Sequence, residues 1–141
     1  LILTDTVFIN DKSAFSYNIE NFLVKKGLYH SGKSKLLHED FDENFVKKRK
    51  NVVTFDEKLI GLSDGSVFSR EELSYKIPLD YMLVYGRKRQ TLSYILNVYD
   101  FDYLIIDGSM PYYLASQLID EADDLGIKYH NVREDGAFLM K

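Results

Sequence analysis

The chain has 141 residues, enough for one domain that buries roughly 68–70% of the surface its unfolded form exposes. Hydrophobic residues at 45% and charged residues at 28% mark a globular protein, and a net charge of −4 excludes generic binding to phosphate backbones, which leaves only local basic patches for that role. The absence of cysteine excludes disulfides, thiolate catalysis and cysteine zinc sites, and no apolar run approaches the roughly 18 residues that cross a bilayer as a helix.

Opening without methionine on Leu1-Ile2-Leu3-Thr4-Asp5, the chain is expected to be an excised piece of a larger protein. β-Forming residues predict a strand over 1–9, and Asn10-Asp11-Lys12-Ser13 then supplies turn and helix-cap chemistry. Phe15, Ile19, Phe22 and Leu23 recur at three- and four-residue spacing, which predicts a helix that Gly27 ends. From 29 to 50 the periodicity fades, and most of the stretch reads as irregular. Residues 51–55 and 59–62 flank Asp56-Glu57-Lys58 and predict a β-hairpin whose turn lacks glycine.

The second half is more strongly patterned. Residues 80–85 predict a short apolar strand, 90–99 a helix, and 103–106 a buried strand. A longer helix follows, with Ser109 as its expected cap, Pro111 just inside its start and Gly126 at its end. Leu114, Leu118 and Leu125 with Ala115 and Ala122 form its apolar face. Residues 127–132 and 137–140 read as two closing strands. Strands that alternate with helices imply crossover units, hence an α/β fold with a mixed sheet, a substantial parallel part and flanking helices, in a single domain over 1–141.

Few residues offer chemistry. His30, His38 and His130 lack the short helical spacing by which two imidazoles share a metal, so His130 is expected to be structural and no metal site is assigned. Gly27-Leu28-Tyr29-His30-Ser31-Gly32-Lys33-Ser34 has the spacing of a phosphate-binding loop but follows a predicted helix instead of a strand, so no nucleotide is expected. Asp107-Gly108-Ser109 closes a strand and opens a helix, a junction at which α/β proteins place ligand-contacting groups, although turn and cap chemistry, with Gly108 making the turn and Ser109 the cap, is the favoured explanation. Asp64-Gly65 reads as an acidic turn before it reads as a metal-bridging carboxylate. Two basic clusters remain, Lys47-Lys48-Arg49-Lys50 and Arg87-Lys88-Arg89. The second sits where a strand exits into a helix, with Tyr85 and Tyr94 close in sequence for base stacking.

From residue 79 onward the chain carries Leu79-Asp80-Tyr81-Met82-Leu83-Val84, then Tyr103-Leu104-Ile105-Ile106-Asp107-Gly108-Ser109-Met110-Pro111, then Leu125-Gly126-Ile127-Lys128-Tyr129-His130-Asn131-Val132-Arg133-Glu134-Asp135-Gly136-Ala137-Phe138. This resembles the C-terminal end of ComEC competence proteins, especially the Bacteroidetes version. Leu1-Ile2-Leu3-Thr4-Asp5-Thr6 resembles, more loosely, a segment after that family's membrane region.

The resemblance implies the second half of a metallo-β-lactamase-like sandwich, used in that family to degrade one DNA strand during uptake. It also implies attachment to the membrane part of the same protein, on the extracytoplasmic side. A strand ending in an acidic turn matches residues 59–64. Tyr85-Gly86-Arg87-Lys88-Arg89 stands where the family has a His-His-Gly-Ser loop, Met110-Pro111 replaces a later His-Pro, and the His-x-His-x-Asp-His motif is absent from the sequence. A zinc hydrolase typically needs three protein ligands and an activated water. The expectation is therefore a domain with no catalytic residue and no cofactor of its own, in which Arg87, Lys88 and Arg89 guide single-stranded DNA. The alternatives are a hydrolase completed by upstream residues, with Asp64 and Asp107 holding a divalent metal, and a structural or protein-binding module.

Overall fold

The computed structural model describes residues 2–4, 34–36, 38–67 and 69–140. The chain divides into two compact units, Leu1–Phe41 and Asp42–Lys141. In the first, β1 (Ile2–Thr4) pairs in parallel with β2 (Ser34–Leu36), Ile2 opposite Ser34. The strand expected over 1–9 is thus seen at β1. The rest of that strand, the helix expected from Phe15 to Gly27 and the phosphate-loop-like stretch up to Lys33 lie outside the described residues.

A seven-stranded sheet begins with β3 (Phe41–Glu43) and β4 (Val46–Arg49). Both fall in the stretch expected to be irregular, and so does β2. Val46-Lys47-Lys48-Arg49 carries no apolar period, yet it pairs antiparallel with β5 (Val52–Phe55), Val46 opposite Phe55 and Arg49 opposite Val52. Backbone pairing and not side-chain polarity makes the strand.

The hairpin expected next is present as β5 and β6 (Lys58–Ser63), with Lys58 inside the strand and Val53 opposite Ile60. Its two turn residues, Asp56 and Glu57, take φ of 48° and 63°, the left-handed pair that a tight hairpin turn needs, here without glycine.

After β7 (Ile77–Pro78), the strand β8 (Tyr81–Val84) runs parallel to β6. The helix expected over 90–99 is shorter, α1 (Leu92–Leu96), because Tyr99 and Asp100 form β9 (Tyr99–Asp100) and pair with β7. Then β10 (Tyr103–Ile106), α2 (Tyr112–Leu125) and β11 (Lys128–Asn131) complete two crossovers, and the parallel part of the sheet reads β11-β10-β8-β6. The mixed-sheet α/β fold expected from the sequence is the observed one.

Three local expectations fail. Ser109 does not cap α2: Pro111 occupies the cap position with no side-chain bond to the helix, and the Ser109 amide donates instead to Asp107 Oδ2 at 2.9 Å. Leu125 does not join the apolar face but is 54% exposed, while Leu114, Ala115, Leu118 and Ala122 are buried. Residues 137–140 form no strand. The chain turns through α3 (Val132–Asp135), and the Phe138 ring packs edge-on against Tyr81, with Tyr103 and His130 also in contact. Gly126, by contrast, ends α2 at φ 70° as the sequence implies.

The main buried cluster lies on one face of the sheet, and Leu62 and Ile105 are buried on the other. Met82 and Val84 of β8 and Leu104 and Ile106 of β10 are alternate residues, so each pair shares a face, and they cluster with Leu92, Ile95, Leu114 and Leu118 of the helices. Among the described residues, no helix is long and apolar enough to cross a membrane.

Candidate functional site

Register aligns the carboxyl ends of the four parallel strands. Ser63 lies opposite Val84, Val84 opposite Ile106, and Ile106 opposite Asn131. The ladder extends one residue further, since the Tyr85 amide donates to the Ser63 carbonyl and the Asp107 amide to the Val84 carbonyl, both at 2.9 Å. Every loop that leaves this edge therefore starts from a fixed level, about 4.8 Å from its neighbour. In open α/β sheets this is the edge at which ligands bind.

The loop after β8 carries Arg87, Lys88 and Arg89, all exposed. It is anchored at both ends. On one side Gly86, at φ 85°, donates its amide to Ser109 Oγ at 3.4 Å. On the other, Gln90 is buried. Its Nε2 donates to the carbonyls of Ser63 at 3.2 Å and Tyr85 at 3.0 Å, and its Oε1 accepts from Ser63 Oγ at 2.6 Å. Neither Arg87 nor Arg89 has a side-chain hydrogen bond or ion pair among the described residues. Lys88 stands over the turn after β6, where a Cβ on Gly65 would meet the Lys88 Cβ at 2.6 Å.

Asp64 and Asp107 hold corresponding places, each directly after a strand end, and each accepts from an amide two residues on: Asp64 Oδ1 from Ser66, Asp107 Oδ2 from Ser109, both at 2.9 Å. Partial burial pushes the Asp64 carboxyl up, but hydrogen bonds from Ser66 and the charge of Lys88 outweigh it and hold the group below the usual carboxylate range. Asp64 is thus an anion beside the basic loop. Among the described residues, no three His, Asp or Glu side chains gather in a way that would hold a metal ion. His130 keeps the structural place expected of it: its Nε2 lies 2.8 Å from the Gly136 carbonyl oxygen, and its ring meets Phe138 edge-on.

The other basic cluster is arranged differently. Lys47 and Arg49 both reach Asp42, at 3.4 and 3.9 Å, and Lys48 is buried with its ammonium donating to the Lys50 carbonyl at 2.5 Å. Two of its four cations thus share one carboxylate, and a third is turned inward. Of the two tyrosines expected to stack, Tyr85 is half-buried and its carbonyl holds Gln90, whereas Tyr94 lines a cleft of about 270 Å³ with Val67, Arg89 and Thr91.

Two organising residues carry no signal in the sequence. Gln90 is one. The other is Arg133, whose Nη2 donates to the carbonyls of Gly108 and Met110, both at 2.8 Å, and so clamps the turn between β10 and α2. Asn131 Oδ1 in turn accepts from the Arg133 amide at 3.2 Å. Both side chains bind backbone that only the fold brings near.

The family described as the ComEC C-terminal domain matches residues 1–141, and the chain belongs to that family. No curated protein and no solved structure matches it.

Proposed function

We propose that this member of the ComEC C-terminal domain family is a non-catalytic accessory module of competence DNA uptake, in which Arg87, Lys88 and Arg89 hold the phosphates of a single DNA strand. The observation that carries the reading is a run of three exposed cations on a loop tied at both ends, at the carboxyl edge of a parallel sheet. Positioned guanidinium and ammonium groups contact phosphates without reading sequence, which suits a strand of any composition.

Family membership supports the DNA-uptake setting. The loss of histidines at Tyr85-Gly86-Arg87-Lys88-Arg89 and at Met110-Pro111 supports a degenerate metallo-β-lactamase-like half in which fixed positive charge replaces a metal. On this reading the domain is one piece over 1–141, joined to the membrane part of the same protein and facing the extracytoplasmic side.

Single-stranded DNA binding across a salt series tests the proposal. Affinity should fall linearly on a double-logarithmic plot, with a slope of roughly 0.7 per phosphate neutralised, and the Arg87→Ala, Lys88→Ala, Arg89→Ala triple variant should lose about 2 of that slope. No binding by either protein at low salt would reduce the loop to ordinary surface and leave a structural or protein-binding module.

A further inference from the structure

The basic loop does not stand alone at the sheet edge. Gly86 reaches Ser109, just before α2, and the Gln90 carbonyl accepts from Gln117 Nε2 at 3.4 Å, within α2. The two ends of the basic loop are therefore tethered on either side of the first turn of that helix. Two tyrosines occupy this turn, Tyr112 and Tyr113, 66% and 70% exposed. Tyr113 precedes Gln117 by four residues and Glu121 by eight, so the three share one face. Glu121 closes the stripe by accepting from the Leu92 amide at 2.6 Å and from Gln117 Nε2 at 2.7 Å. The stripe that binds the end of the basic loop thus continues, one turn on, into an uncovered aromatic ring.

Large aromatic side chains are normally withdrawn from water, and two adjacent exposed rings on a helix tied to a loop of two arginines and a lysine form the combination that single-strand binders use: cations along the backbone and flat faces under the bases. Resting on the reading above, we propose that Tyr113, with Tyr112 beside it, is a stacking platform for the bases of the strand whose phosphates the loop holds. Tyr85 and Tyr94, nearer to the loop in sequence, are each partly buried and less available for this role.

The test compares the full chain with its Tyr113→Ala, Tyr112→Ala and Tyr113→Phe variants. Two probes serve, an oligothymidylate of about twelve nucleotides and an abasic strand of the same length. Tyr113→Ala should weaken binding to the thymidylate about tenfold while leaving abasic binding and the salt slope unchanged, and Tyr113→Phe should retain affinity. Equal loss on both probes, or no loss on either, would overturn the platform. Wild-type binding that is the same for both probes would also overturn it while leaving the loop's phosphate role intact. If the wild type binds neither, the underlying reading falls as well.

Discussion

The Gln90 carboxamide closes on Ser63 from both ends, taking the Ser63 hydroxyl proton on Oε1 at 2.6 Å and giving an Nε2 proton to the Ser63 carbonyl at 3.2 Å. Both residues are buried, so the pair fixes the exit of β6 to the end of the basic loop out of reach of water. Replacing Gln90 by Ala would orphan the Ser63 hydroxyl and strip the Tyr85 carbonyl of a partner. The expected cost is about 2 kcal/mol, read as a lower urea midpoint. Faster tryptic cleavage at Arg87, Lys88 and Arg89 should accompany it, since these residues lose their downstream anchor.

Gly65 and Gly126 both have positive φ, 89° and 70°, but differ in what surrounds them. A Cβ at Gly126 meets nothing within 4 Å, so Gly126→Ala should carry only the backbone penalty, about 1 kcal/mol. A Cβ at Gly65 would approach the Lys88 Cβ at 2.6 Å, and that position belongs to the stem of the side chain, not its mobile end. Gly65→Ala should therefore destabilise more than Gly126→Ala, by about 1–3 kcal/mol further, because the stem of Lys88 must move aside. Thermal melts of the two variants in parallel check the order.

Acid should loosen the fold through two carboxylates. Asp80 accepts the Leu59 amide at 2.9 Å and pairs with Lys58 at 3.0 Å, and first the amide, then the lysine, hold its pKa down. Asp64 is also held down, as described above. A group whose folded pKa is depressed contributes stability that is complete above its unfolded pKa and is lost as pH falls through the folded value. The loss should appear below about pH 4. Asp80→Asn should flatten that acid limb while lowering stability at neutral pH. Denaturation midpoints measured from pH 7 down to pH 3 would show it, and an unchanged acid limb would count against the assignment.

Phe138 makes ring contacts with Tyr81 at 5.3 Å, Tyr103 at 5.6 Å and His130 at 5.2 Å between centroids. Phe138→Ala should cost about 1–2 kcal/mol, less than a fully buried phenylalanine, because the ring is only half-buried. Loss of near-ultraviolet circular dichroism from the tyrosine cluster is the accompanying signature.

The parallel half was legible because its signals are local. Apolar runs at 103–106 and 80–85 and a glycine at 126 each report on their own neighbourhood. The β4 strand was hidden because its residues are polar and its existence depends on β5 lying beside it. Ser109 misled for a related reason: its place before a helix suggested a cap, but its hydroxyl oxygen accepts from the Gly86 amide, which only the sheet brings near. At the candidate site the basic run was visible as a cluster of like charge. Gln90 and Arg133 were not, since an amide side chain on Ser63 and a guanidinium on Gly108 become meaningful only once register has aligned the strand ends.

Every member of the main buried cluster falls between Leu79 and Ala122. The fully buried part of this cluster is thus drawn from one stretch of polypeptide, with Val52 and Leu59 of the hairpin and Ile127 and Tyr129 packed against it, so many of its contacts close short loops at small entropic cost. Such a stretch opens as a unit. Amide protons of β8, β10 and α2 should exchange with solvent last, at the rate of global unfolding, while those of β4, none of whose residues joins the cluster, exchange earlier through partial opening. The loop of three cations is carried by the slow-exchanging block, so it keeps its shape when the antiparallel arm frays.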